Sequence, residues 1–184
     1  MFSPLALLVA LQPPALCQTT DAPVMLDRVV AVVGDRIITA SDVRLERALA
    51  DRDPSPVAAL ARRQREGSLE AVVDGAIVRK LAGDIAIYAP STTEVSQRVA
   101  ALRQSWPDPA DYARFLGAMG LDEERLAGRI YSRMVIERYV YRNVTLASET
   151  AGESPDVAWD RYQSWIGRER SRVEIRYVSR PGAR

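Results

Sequence analysis

The sequence predicts a mainly α-helical chain completed by one small β-sheet, an α+β fold. Three observations carry this reading. Near the start, Val29-Val30-Ala31-Val32-Val33 is an apolar, largely β-branched run, and a second such run, Arg36-Ile37-Ile38-Thr39, follows a Gly34-Asp35 pair. Through the middle, apolar residues return at three- and four-residue steps, as on the buried face of a helix. At the far end, residues 172–178 alternate with period two, as a half-buried strand does.

Each element has a local reason. Gly34 can take the positive φ of a tight hairpin turn between the first two strands. Because the first run is apolar throughout, both faces of the sheet are expected to be covered. Ser41 offers an N-cap, with Asp42 in the first turn, for a helix to about residue 50. Residues 51–56 hold two prolines and read as a loop. Residues 57–66 read as a short exposed helix broken by Gly67. A long helix over 69–88 carries Leu69, Val72, Val73, Ala76, Ile77, Leu81 and Ile85 on one face. Gly75 and Gly83 each weaken it by about 1 kcal/mol relative to alanine, a cost that a close helix crossing would offset. Ser91-Thr92-Thr93-Glu94 is a capping box for the next helix, to about residue 106. Asp108-Pro109 opens another, which Gly120 stops. The longest helix spans 121–142. The small, polar stretch 145–153 reads as a loop. Ser154-Pro155-Asp156 then starts a helix with Ala158, Trp159, Tyr162, Trp165 and Ile166 as its apolar stripe. Two hairpin strands are marginal alone, so the last strand is expected to join them.

Composition narrows the chemistry. The 184 residues include no histidine, which excludes Ser-His-Asp and Cys-His catalysis and HExxH zinc sites. The single cysteine, Cys17, excludes an intramolecular disulfide and a cysteine-rich metal site. With 25 basic and 24 acidic residues, the net charge of +1 gives no general pull towards nucleic acid. Asp108, Asp111, Glu123 and Glu124 fall at helix starts, where capping and the helix dipole account for them. Asp51 and Asp53 read as loop acids around Arg52. No catalytic residue, cofactor or metal is expected.

Residues 1–17 read as a signal peptide: residues 5–11 are apolar, too short a run to span a bilayer, and Ala15-Leu16-Cys17 presents small residues near a cleavage point. Residues 18–25 read as a linker and 26–180 as one domain, including its final helix and strand at 155–178. No stable membrane span is expected, and the compartment expected is the periplasm.

The segment from Leu26-Asp27-Arg28 through Val33-Gly34-Asp35-Arg36-Ile37-Ile38-Thr39, with Ser41-Asp42-Val43 after it, resembles the opening of the SurA family of periplasmic chaperones. The order of later features is similar too: a long apolar helix, the box at Ser91 to Glu94, a short helix with Tyr112, Phe115 and Leu116, then Gly120-Leu121-Asp122-Glu123-Glu124 and a helix carrying Glu137-Arg138-Tyr139. The resemblance implies the chaperone module without its parvulin-type prolyl isomerase domains, for which too few residues follow the loop near Gly152. It also implies that the final helix and strand return to the hairpin. The other reading of 172–178, the first strand of a lost isomerase, stays open at this point.

The function expected is ATP-independent holding of unfolded outer-membrane or envelope polypeptides. The alternative is a dedicated interaction subunit or the remnant of an isomerase. The side chains expected to line a client groove are Tyr112, Phe115, Leu116, Met119, Tyr131 and Met134, because aromatic rings and methionines give large, adaptable contact area. Packing into an ordinary core would place the same residue types there. Tyr139, Tyr141, Trp106 and Trp159 are an aromatic surplus, hard to bury together in so small a domain. Arg125, Arg129 and Arg133, four apart on one helix, read as a solvated face. Residues 161–184 carry seven arginines against Glu169 and Glu174, an excess that could give weak contact with anionic surfaces.

Overall fold

The structure is a computed structural model and describes residues 27–53 and 69–178. The signal-peptide and linker expectations, and the short helix at 57–66, lie outside the described residues. Strands β1 (Val29–Val33) and β2 (Arg36–Thr39) form the hairpin, with Gly34 at φ +59° in its turn. Strand β3 (Ile175–Tyr177) pairs antiparallel with β1 on its other edge, Val32 opposite Arg176 and Val33 opposite Ile175. The sheet order is β2-β1-β3, so the two ends of the domain meet as expected.

Helix α1 (Ala40–Ala50) follows β2 directly. Its cap is Thr39 rather than Ser41. The Asp42 amide donates to Thr39 Oγ1 at 3.3 Å, and the Thr39 amide donates to the Asp42 carboxylate at 3.0 Å. The box wins because Thr39, at the end of a strand, already has the extended backbone that an N-cap needs.

Helix α2 (Leu69–Ala82) ends six residues before the predicted limit. Gly83 takes φ +53° there, and a 3₁₀ turn at Ala86–Tyr88 follows. Gly83 is therefore a helix stop, not a crossing point. Gly75 faces α5, but a Cβ on it would lie 3.6 Å from Ile136 Cδ1, an ordinary packing distance that does not require glycine.

Helices α3 (Thr92–Gln104), α4 (Pro109–Met119) and α5 (Glu123–Val140) begin at Ser91, Asp108 and Asp122, and Gly120 stops α4 at φ +63°. The chain then stays helical where a loop was expected, through a π-helical turn (Tyr141–Thr145) into α6 (Leu146–Thr150). Val144, 3% exposed, is drawn into the core there, and Gly152 at φ +64° marks the break instead. Helix α7 (Pro155–Arg170) completes the order.

The largest core lies between the sheet, α2, the end of α5 and α7, with Ala31, Val33, Ile38, Val73, Ile77, Val78, Val140, Tyr162 and Ile166 buried. Asp74, 2% exposed, is held within it by Arg170 Nε at 2.5 Å, which ties α2 to α7. The outer face of the sheet is not fully covered: Ile37 is 58% exposed, with Val32 and Arg176 beside it in register. Among the described residues no helix is long and apolar enough to cross a membrane.

Candidate functional site

A second apolar cluster is built by α1, α3, α4 and α5. Its buried centre is Leu45, Leu49, Val95, Leu102, Tyr112, Leu126 and Ile130. All six side chains singled out in the sequence belong to it. Tyr112 is buried, 5% exposed, and so supports the face from below; Phe115, Leu116, Met119, Tyr131 and Met134 are half-buried around it. Tyr131 also reaches the small cluster of Ala82, Tyr88 and Val135. Burial, and then the charge of Glu123, push the Tyr112 phenol above its ordinary pKa.

Helix α4 explains why the face stays partly open. It is 11 residues long, sharply stopped at both ends, and Tyr112 is its one buried residue. Asp108 accepts from the Ala110 amide at 2.8 Å and Pro109 fills the first turn, so its start is rigid. It therefore lies over the cluster without being enclosed by it.

Most of the aromatic surplus is absorbed. The Trp106 ring packs 5.0 Å from Phe115 and 5.5 Å from Tyr112, and Arg52 lies over the Trp106 ring at 4.5 Å. Tyr139 packs on Tyr88 and Trp165, while Trp159 stacks on Tyr162. Tyr141 stays 42% exposed, its hydroxyl hydrogen-bonded to Glu149 at 3.2 Å.

A partly buried ion network links three of the helix segments around this cluster, and sequence reasoning missed it. The Arg98 guanidinium on α3 spans two carboxylates: Nε and Nη2 reach Asp53 at 2.7 and 2.9 Å, while Nη1 and Nη2 reach Glu137 at 2.5 and 2.8 Å. Burial opposes the Arg98 charge, but its bonds to Glu137 and Asp53 outweigh that and raise its pKa. Arg133 adds Glu46 at 2.5 Å and the Asp53 carbonyl at 3.3 Å. Asp53 is 6% exposed, so it is an interior anchor and not a solvated loop acid.

The α5 arginine row is solvated at two of its three positions: Arg125 and Arg129 are exposed, pairing with Asp122 at 3.6 Å and Asp42 at 2.9 Å, while Arg133 is half-buried in this network. The Arg133 and Glu137 spacing of one helical turn was visible beforehand; that Asp53 and Arg98 meet them depends on how α1 and α3 fold back.

The basic carboxy-terminal stretch is also largely paired. Arg161 bonds Glu153, Arg170 bonds Asp74, Arg172 bonds Glu169 and Arg176 bonds Glu174. Two of those carboxylates lie outside the stretch, which cuts its excess charge. Among the described residues, no group of three or more His, Cys, Asp or Glu side chains could hold a metal ion. In comparisons with known proteins, no family model matches this chain, and no curated protein matches it.

Proposed function

We propose that this chain is a SurA-like holdase of the cell envelope. It would bind unfolded outer-membrane or envelope polypeptides in the periplasm, without nucleotide, by apolar contact. The observation that carries the reading is the half-buried arc of Phe115, Leu116, Met119, Tyr131 and Met134 around a single helical cluster. Such side chains offer area to an extended apolar segment and adapt to its shape. The partly buried ions of Asp53, Arg98, Glu137 and Arg133 tie three helix segments together around it, so the client and not the scaffold would do the adjusting. The return of β3 to β1 supports a self-closed module over the first strand of a lost isomerase. No step of bond making is required, and release follows from modest affinity per contact.

The test is light scattering of a denatured outer-membrane protein diluted into buffer with the purified chain. Suppression of aggregation near one-to-one stoichiometry is expected, together with no acceleration of cis–trans exchange in a proline peptide. Absence of suppression refutes the holdase. Capture of one stoichiometric protein, in place of many unfolded chains, would favour a dedicated interaction subunit.

A further inference from the structure

Away from the helical cluster, a cavity of about 380 Å³ lies between the hairpin turn and the end of α2. The core residues Val33 and Ala76 close its base, and its accessible lining is charged: Arg36, Arg79 and Lys80 with Asp35 and Asp84. Lys80 is the one lysine in a chain with 24 arginines. Its ammonium folds over the turn: a Cβ on Gly34 would lie 2.9 Å from Lys80 Nζ. The turn needs glycine for its φ of +59°, whereas the flexible Lys80 side chain could move away from a Cβ there.

The cations differ in how committed they are. Arg79 is held, with Nη1 donating to the Gly83 carbonyl at 2.5 Å and Nη2 to Asp84 at 3.3 Å. Lys80 stands 3.6 Å from Asp35, whose side chain is 91% exposed, a pairing of little strength in water. Arg36 has no ion pair among the described residues. Lys80 and Arg36 are therefore donors open to a ligand.

We propose that this cavity binds the free C-terminal α-carboxylate of an extended polypeptide. Three cations against Asp35 and Asp84 leave one positive charge in excess, which matches a carboxylate. A phosphate dianion would exceed that charge and face both acids. The assignment of a polypeptide as the source rests on the holdase reading; the carboxylate chemistry does not. A client would then be held at two places: by its apolar run on the helical face and by its end beside the hairpin.

The experiment uses the purified chain and two fluorescent decapeptides of one sequence ending in an apolar residue, one a free acid and one an amide. Anisotropy titration should show the free acid binding on the order of tenfold tighter, with the difference shrinking as salt rises. The double variant Arg36→Gln, Lys80→Gln should erase the difference. Both side chains are exposed, so its thermal midpoint should match the parent. Acetate should compete and inorganic phosphate should not do so better. As a second readout, the free acid alone should shift the Val33 and Ala76 amide resonances. Equal affinity for acid and amide, no binding of either, a preference that survives the double variant, or stronger competition by phosphate each overturns the assignment. Aggregation suppression measured alongside separates the two readings, since loss of the terminal preference with suppression intact leaves the holdase standing.

Discussion

The two larger apolar clusters use the same residue types at the same helical spacing, yet they close to different degrees. In the sheet cluster, α2 alone buries Val73, Ala76, Ile77 and Val78, and strands from both ends of the domain cover it. In the helical cluster, α4 buries Tyr112 alone and leaves Phe115, Leu116 and Met119 at the rim. An amphipathic pattern thus says which face is apolar, not how much chain lies against it. Enclosure comes from neighbours, and α4 has neighbours on one side. The clusters also differ in their polar ties: Arg170 joins α7 to α2 through Asp74 and the Glu70 carbonyl, whereas a network of two arginines and three carboxylates lies beside the helical face. That difference separates a module that only needs to be shut from one that must stay shaped while part of it is open.

The network should give the largest effect. Arg98→Ala leaves Asp53 and Glu137 facing each other with one guanidinium gone, side chains 7% and 12% exposed. Breaking a buried pair from one side costs about 3–5 kcal/mol. Urea denaturation should therefore show a loss of that size, greater than for Asp74→Asn, whose partner Arg170 is 30% exposed and can turn to water. If Asp74→Asn proved the more damaging, the helical cluster would not depend on its ions.

Apolar truncations probe the same contrast at a smaller scale. Ile77 is fully buried, so Ile77→Ala should cost about 2–5 kcal/mol. Phe115→Ala should cost less, on the order of 1–2 kcal/mol, because the ring is half-exposed to begin with. The signs should reverse in function: Phe115→Ala weakens aggregation suppression at a temperature where both variants are folded, and Ile77→Ala does not. Equal functional loss from both would show that suppression tracks stability and not the rim. Removal of residues 172–184 tests the closure itself, since β3 covers one edge of β1. A thermal midpoint unchanged by the deletion would refute the role of β3.

Much of the fold was legible beforehand because it is written locally. Hairpin, caps and stops rest on single residues: Gly34, Ser91 with Glu94, Asp108 with Pro109, Gly120 and Ser154. Where neighbouring signals competed, local reading slipped. Thr39 and Ser41 both cap well, and strand geometry decided for Thr39. Gly83 was a weak spot inside a helix until its positive φ made it the end. The stretch 145–153 looked like a loop because it is polar, but Ser148 within it and Val144 just before it are buried. The candidate face was legible as a set of six residues and not as a shape. Of the ion network only the Arg133 and Glu137 spacing was legible, as the pairs that bring in Arg98, Asp53 and Glu46 are 39 to 87 residues apart in sequence.

The smallest effect concerns the start of α3. Glu94 accepts from the Ser91 amide at 2.7 Å and Ser91 Oγ at 2.8 Å, and it pairs with Arg138 of α5. The Ser91 bonds, and then the Arg138 charge, hold its carboxyl below the ordinary glutamate range. The unfolded chain, with the ordinary pKa, then binds a proton at a higher pH than the folded chain does. Stability from Glu94 is therefore complete above that range and fades as pH falls through the lowered folded value. Denaturation midpoints from pH 6 down to pH 3 should fall less steeply for Glu94→Gln than for the parent, with the two curves converging at the acid end. Ser91→Ala should cost about 1 kcal/mol by removing the cap and flatten the same slope, since it withdraws the bonds that depress the carboxyl. Parallel curves for parent and Glu94→Gln would mean that the cap does not hold the Glu94 carboxyl down in the folded chain.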